Sequence, residues 1–162
     1  MPGIQCSVFD PADPSAESRW RHGMDMLRHH PEHIQEQYSE PGFRIACVYH
    51  PEVCKKPRLL VTPHHVLAAY GTLHDDDLRG ADGEALCQTL LERFLQGGAA
   101  GLQHLNGRYD IAVWDRRSRV LQWVSDRFGA NRHYSLHQHR ALHLACEVKS
   151  LVPWLDRIEV ER

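Results

Sequence analysis

Apolar residues recur along this chain in short runs, broken by proline, glycine and polar clusters. Gly3 to Phe9 (GIQCSVF) is one such run, bounded by Pro2 and Asp10-Pro11, and predicts a strand close to the start. Asp13-Pro14-Ser15 then opens a helix, with Asp13 or Ser15 as cap. It runs from about Ala16 to His29 and places Trp20, Met24 and Leu27 on one face. His29 to Gly42 is polar, carries Pro31 and Pro41, and predicts a loop. Phe43 to Tyr49 (FRIACVY) predicts a strand with Phe43, Ile45, Cys47 and Tyr49 on one face. Arg58 to Thr62 and His65 to Tyr70 predict two more, split at Pro63. The second is nearly all apolar, as a strand covered on both faces would be.

Leu73 to Asp82 carries the acidic run Asp75-Asp76-Asp77 and reads as a solvated loop. Gly83 to Gln96 predicts an amphipathic helix closed by Gly97-Gly98, and Ala99 to His104 a short helical turn. Arg108 to Asp115 and Arg119 to Val124 predict a hairpin about Arg116-Arg117-Ser118. His133 to Leu136 and Ala141 to Ala145 predict a second, and Glu147 to Trp154 a final short helix. Strands outnumber helices and hairpins dominate, so the expected class is α+β: antiparallel sheets with helices outside them.

The whole chain, residues 1–162, is expected to form one domain. Hydrophobic residues make up 42% and charged residues 25%, ordinary values for a globular protein. A net charge of −2 gives no reason to expect nucleic acid or an anionic membrane as partner. No apolar run reaches membrane-spanning length, and MPGIQCSVFDP lacks the basic start and apolar core of a secretory signal. Five scattered cysteines, an odd number, suit a reduced, cytoplasmic protein.

The 13 histidines include His29-His30 with His33, His64-His65, and His137 with His139. No CxxC or HExxH spacing accompanies them, and His50 with Cys54 lies on a proline-bounded loop. The expectation is surface histidines, with no metal and no other cofactor. Trp20, Trp114, Trp123 and Trp154 are expected in the core, with Trp114 and Trp123, on paired arms of one hairpin, in the sandwich or at an oligomer contact.

One stretch says more. Leu105-Asn106-Gly107, a strand ending Trp114-Asp115, Asp126-Arg127-Phe128-Gly129, and Glu147-Val148-Lys149-Ser150-Leu151 occur in that order. Together they closely resemble the amidotransferase domain of asparagine synthetases, a class II glutamine amidotransferase. The resemblance extends more weakly to Pro2-Gly3-Ile4, Phe43-Arg44-Ile45, Ala69-Tyr70-Gly71-Thr72 and Ala81-Asp82-Gly83-Glu84. It implies the N-terminal-nucleophile fold, an αββα four-layer sandwich. It also implies a structural role for Asp126-Arg127, expected as a buried ion pair.

In that family an N-terminal Cys attacks the glutamine amide, with its own α-amino group as base. An Asn-Gly pair stabilises the oxyanion, an Arg holds the α-carboxylate and an Asp the α-amino group. Here Pro2 stands at the nucleophile, Tyr70 at the oxyanion Asn and Thr72 at the Glu of Asn-Gly-Glu. Arg44, Gly71 and Asp82 remain as ligand-holding positions, beside Tyr70. The resemblance therefore implies a degenerate domain that binds and does not hydrolyse. Its fallback is a glutaminase using Cys6 unmasked by cleavage after Gln5, although Ser7-Val8 after Cys6 breaks the family's Cys-Gly-Ile register.

No Ser-Gly-Gly-x-Asp phosphate loop occurs in the sequence, which stops about eleven residues beyond Leu151. The expected partner is therefore a separate ATP-dependent amide synthetase, in a biosynthetic setting such as natural-product assembly. An amino-acid or peptide ligand, or self-association into a homo-oligomer, are the other expectations.

Overall fold

A computed structural model describes residues 3–52, 58–78, 81, 83–138 and 140–157. The elements follow the order β1 (Ile4–Val8), α1 (Ala16–Leu27), β2 (Ile34–Glu40), β3 (Phe43–Tyr49), β4 (Leu59–Val61) and β5 (His65–Leu73). Then come α2 (Glu84–Gly97), β6 (Gly107–Asp115), β7 (Val120–Ser125), β8 (Tyr134–Gln138) and β9 (Ala141–Ala145). Short 3₁₀ turns cover Asp76–Leu78, Gly98–Leu102 and Val148–Trp154.

Every strand pairing is antiparallel. One sheet has the order β2-β3-β1-β9-β8, the other β4-β5-β6-β7. The period-2 alternation of side chains sorts each strand between two apolar layers. On β3, Phe43, Ile45 and Cys47 face inward and meet Val66, Ala68, Ala112 and Trp114 of the second sheet. Ala46 and Val48 face outward, against Trp20, Met24 and Leu27 of α1. On the far side, Leu67, Ala69, Ile111 and Val113 pack against Leu86, Leu90 and Phe94 of α2. The result is four layers, helix on sheet on sheet on helix, an α+β sandwich as the sequence predicts.

Trp114 clamps the two sheets together. It is fully buried and stacks on Phe43, ring centroids 4.1 Å apart and planes 5° from parallel. Its Nε1 donates to Glu40 Oε1 at 2.7 Å, while Arg116 Nε donates to Glu40 Oε2 at 2.9 Å. Burial opposes the Glu40 charge, but donors from Trp114, Tyr38 and Arg116 outweigh it and hold the carboxyl below its usual range.

Two expectations need correction. The polar stretch from His29 to Gly42 contains a full strand, β2, paired with β3 from Ile34↔Tyr49 to Glu40↔Phe43. It is an edge strand with no fully buried side chain, so its backbone ladder forms without any apolar alternation. Pro41 and Gly42, the latter at φ 77°, make the two-residue turn between β2 and β3. The final short helix forms where expected, as a 3₁₀ segment, Val148–Trp154, with Pro153 inside it.

Asp126 and Arg127 form no buried pair. Asp126 Oδ1 accepts the backbone N–H groups of Phe128 (2.9 Å) and Ala130 (3.3 Å), closing the loop after β7. Arg127, exposed, donates to Asn106 Oδ1 at 3.1 Å. Backbone donors within the same turn are nearer to a carboxylate than the long side chain of the next residue.

Candidate functional site

A cavity of about 550 Å³ opens at the seam between the sheets, near the start of β1. Tyr70 and Arg108 come to it from the second sheet, and Cys146 from the residue just after β9 in the first. Asn131 enters from the loop between β7 and β8, Glu147 and Lys149 from the segment after β9. Gly3 approaches from below: a Cβ at that position would stand 2.6 Å from Cys146 Sγ. The Ile4 N–H donates to the same sulfur at 3.3 Å.

Beneath the cavity lies Asp110, a carboxylate with no exposed surface in the middle of apolar β6. Its Oδ1 accepts Ser125 Oγ at 2.7 Å and Trp123 Nε1 at 3.2 Å. Burial raises its pKa against the pull of these donors. Cys146 Sγ reaches its Oδ2 at 3.9 Å. Burial first, and then the Asp110 charge, push the Cys146 thiol up to about 12. At neutral pH only about one such thiol in 10⁵ would be a thiolate. Tyr70 is likewise pushed up to about 12, by burial and then by the neighbouring thiols, so its hydroxyl stays protonated.

At the rim, His29 bridges two charges. Its Nε2 lies 2.7 Å from Glu147 Oε1 and its Nδ1 2.6 Å from Lys149 Nζ. Burial, followed by the Lys149 charge, lowers its pKa. A neutral imidazole fits both contacts, with Nδ1 accepting from the ammonium and Nε2–H donating to the carboxylate.

The residues singled out in the sequence divide. Tyr70 is in the cavity wall. Gly71 follows it at φ 106°, where a Cβ would stand 2.0 Å from the Arg108 carbonyl oxygen, so the backbone itself demands glycine. Arg44 is not brought to the cavity. Its neighbours Phe43 and Ile45 face the second sheet, so Arg44 faces α1, ion-paired with Glu17 at 2.6 Å and 5.6 Å over the Phe9 ring. Cys6 sits on β1 between Ile45 and Leu144, fully buried, and burial lifts its pKa well above normal. Pro2 and Asp82 lie outside the described residues, as do Cys54 and His139. Among the described residues no three His, Cys, Asp or Glu side chains are placed to hold a metal ion.

Sequence reasoning missed Arg108, Asp110, Asn131 and Cys146 as site residues. For Asp110 a signal existed, a lone carboxylate inside Tyr109–Trp114, where an unpaired charge is costly. The others carry no local mark, since only the meeting of the two sheets brings them together.

Fold and cavity define a class: a four-layer α+β sandwich whose pocket opens at the start of a central strand. The family model of the glutamine amidotransferase domain matches residues 76–161, more than half of the chain, and the chain belongs to that family. No curated protein matches it. Among the described residues no helix is long and apolar enough to cross a membrane.

Proposed function

We propose that this is a catalytically degenerate amidotransferase domain of the asparagine-synthetase type, acting as a binding or scaffolding subunit. One observation carries the reading. The cavity at the start of β1 is kept, yet its described thiol, Cys146, is held protonated at about 12 and its wall carries Tyr70 in place of an amide. Pro2 at the nucleophile position, read from the sequence, supports it: a proline has no thiol to attack an amide. The burial of Cys6 in the middle of a paired strand weighs against an unmasked Cys6 glutaminase. Cleavage after Gln5 would remove Ile4 and Gln5 from the sheet.

The partner in this proposal is an ATP-dependent, asparagine-synthetase-like enzyme of a biosynthetic pathway. The test is co-purification of the chain with such an enzyme encoded beside it, together with light scattering of the chain alone. A stable complex of the two supports the reading. Self-association without any complex would favour a homo-oligomeric structural protein instead.

A further inference from the structure

The edge of a β-sheet pairs with other chains unless something guards it. Four strands of this fold lie at an edge: β2 and β8 in one sheet, β4 and β7 in the other. Three are guarded. β2 carries Glu36 and Glu40. β4 is three residues long, and Glu36 accepts the Arg58 and Leu59 N–H groups at its start, at 2.9 and 3.2 Å. β8 is flanked by Arg132 and Arg140, and its Gln138 side chain is bonded to Asp156. β7 has no such device. Its six residues, Val120-Leu121-Gln122-Trp123-Val124-Ser125, include no charge, no proline and no glycine, and Val120 is 46% exposed.

Pairing with β6 fixes which backbone groups of β7 are open. The Asp126 N–H donates to the Tyr109 carbonyl at 3.0 Å, and bonding alternates along an antiparallel pair. Val124, Gln122 and Val120 therefore bond to β6, while Leu121, Trp123 and Ser125 turn their N–H and C=O groups outward. Among the described residues no backbone group bonds to them. The side chains of Leu121 and Trp123 point to the layer between the sheets, and those of Val120, Gln122 and Val124 lie on the other face.

We propose that β7 is a dimerisation edge, on which β7 of a second copy pairs antiparallel about a two-fold axis at Gln122. In that register Leu121 of one copy faces Trp123 of the other, and their open backbone groups bond to each other. Val120 faces Val124, and Gln122 faces Gln122. Moving the axis to Trp123 would set Asp126 against Val120, and moving it to Leu121 would set Arg119 against Trp123. The axis at Gln122 keeps both charges off the apolar ladder. The strand is thus its own complement, which selects a second copy over an unrelated chain. The proposal is independent of what the cavity does, since none of these β7 side chains lines it.

The experiment is sedimentation velocity on the full chain from about 1 to 500 µM, with the parent and two variants. The parent should show a monomer–dimer equilibrium in that range. Gln122→Lys, at an exposed position, sets two ammonium groups opposite each other and should weaken the dimer about tenfold or more, with circular dichroism unchanged. Gln122 lies opposite itself in the closer, non-hydrogen-bonded kind of pair, so Gln122→Cys should form a covalent dimer on mild oxidation. Ser118→Cys, in the exposed turn before β7, should not. The proposal is overturned if the parent stays a monomer up to about 500 µM, if folded Gln122→Lys dimerises as the parent does, or if Ser118→Cys cross-links as readily as Gln122→Cys.

Discussion

At the scale of single residues, burial decides which side chains can react. Cys6, Cys47 and Cys87 have no exposed surface, and Cys146 is held protonated. In the native state a thiol-reactive probe should therefore leave Cys6 unlabelled over hours, and label it promptly in denaturant, as read by mass spectrometry of the digested chain. Prompt native labelling would mean that β1 opens.

His143 makes a second residue-scale prediction. It is 2% exposed, its Nδ1 lies 3.0 Å from Ser7 Oγ, and its ring stacks on Trp154 with centroids 3.9 Å apart. Burial, and then the Arg19 charge, lower its pKa to about 4. The folded value lies below the unfolded value of about 6.5, so the unfolded chain binds the extra proton between them. Stability is full above about pH 6.5 and falls as pH drops towards 4, by up to about 3 kcal/mol. Urea unfolding at stepped pH should show this loss, and His143→Gln should flatten it.

At the scale of elements, parity and register carry the site. The alternation Phe43, Ile45, Cys47, Tyr49 was legible in the sequence, and the same alternation puts Arg44 on the opposite face. Family resemblance nominated Arg44 for the pocket; the period of the strand sends it to α1. Edge strand β2 was illegible, because its only regular feature is a backbone ladder. The stretch from Leu105 to Leu151 supplies β6 to β9 and most of the cavity wall, Arg108, Asn131, Cys146 and Lys149 among it. No motif in it says that they converge, since convergence depends on how β9 meets β1 and β5 meets β6.

Gly71 tests the element scale. Pairing with Tyr109 brings the backbones of β5 and β6 together at a left-handed residue. Gly71→Ala must move a main-chain carbonyl or break the ladder, and should cost about 1–3 kcal/mol or more in urea unfolding. Ala at the neighbouring Thr72, an exposed position, should change stability by less than about 0.5 kcal/mol.

For the whole molecule, the cavity exists because two sheets are held face to face. Trp114 and Phe43 hold them, and Trp114 also satisfies Glu40. Trp114→Ala should cost about 3–5 kcal/mol. Trp114→Phe should still cost about 1–3 kcal/mol, because the partly buried Glu40 carboxylate loses a donor. Both are read from denaturant midpoints at unchanged slope. The general plan of sheets inside and helices outside was legible from the strand and helix order, because hairpins and amphipathic helices leave few other ways to bury their apolar faces.

The proposed function is an amidotransferase pocket that binds and does not hydrolyse. The most direct measurement is ammonia release from glutamine by purified chain whose N-terminal residue has been established by intact mass. No ammonia above the blank is expected, from the parent or from Cys6→Ala alike. Turnover by the parent that disappears in Cys6→Ala or Cys146→Ala would contradict the claim.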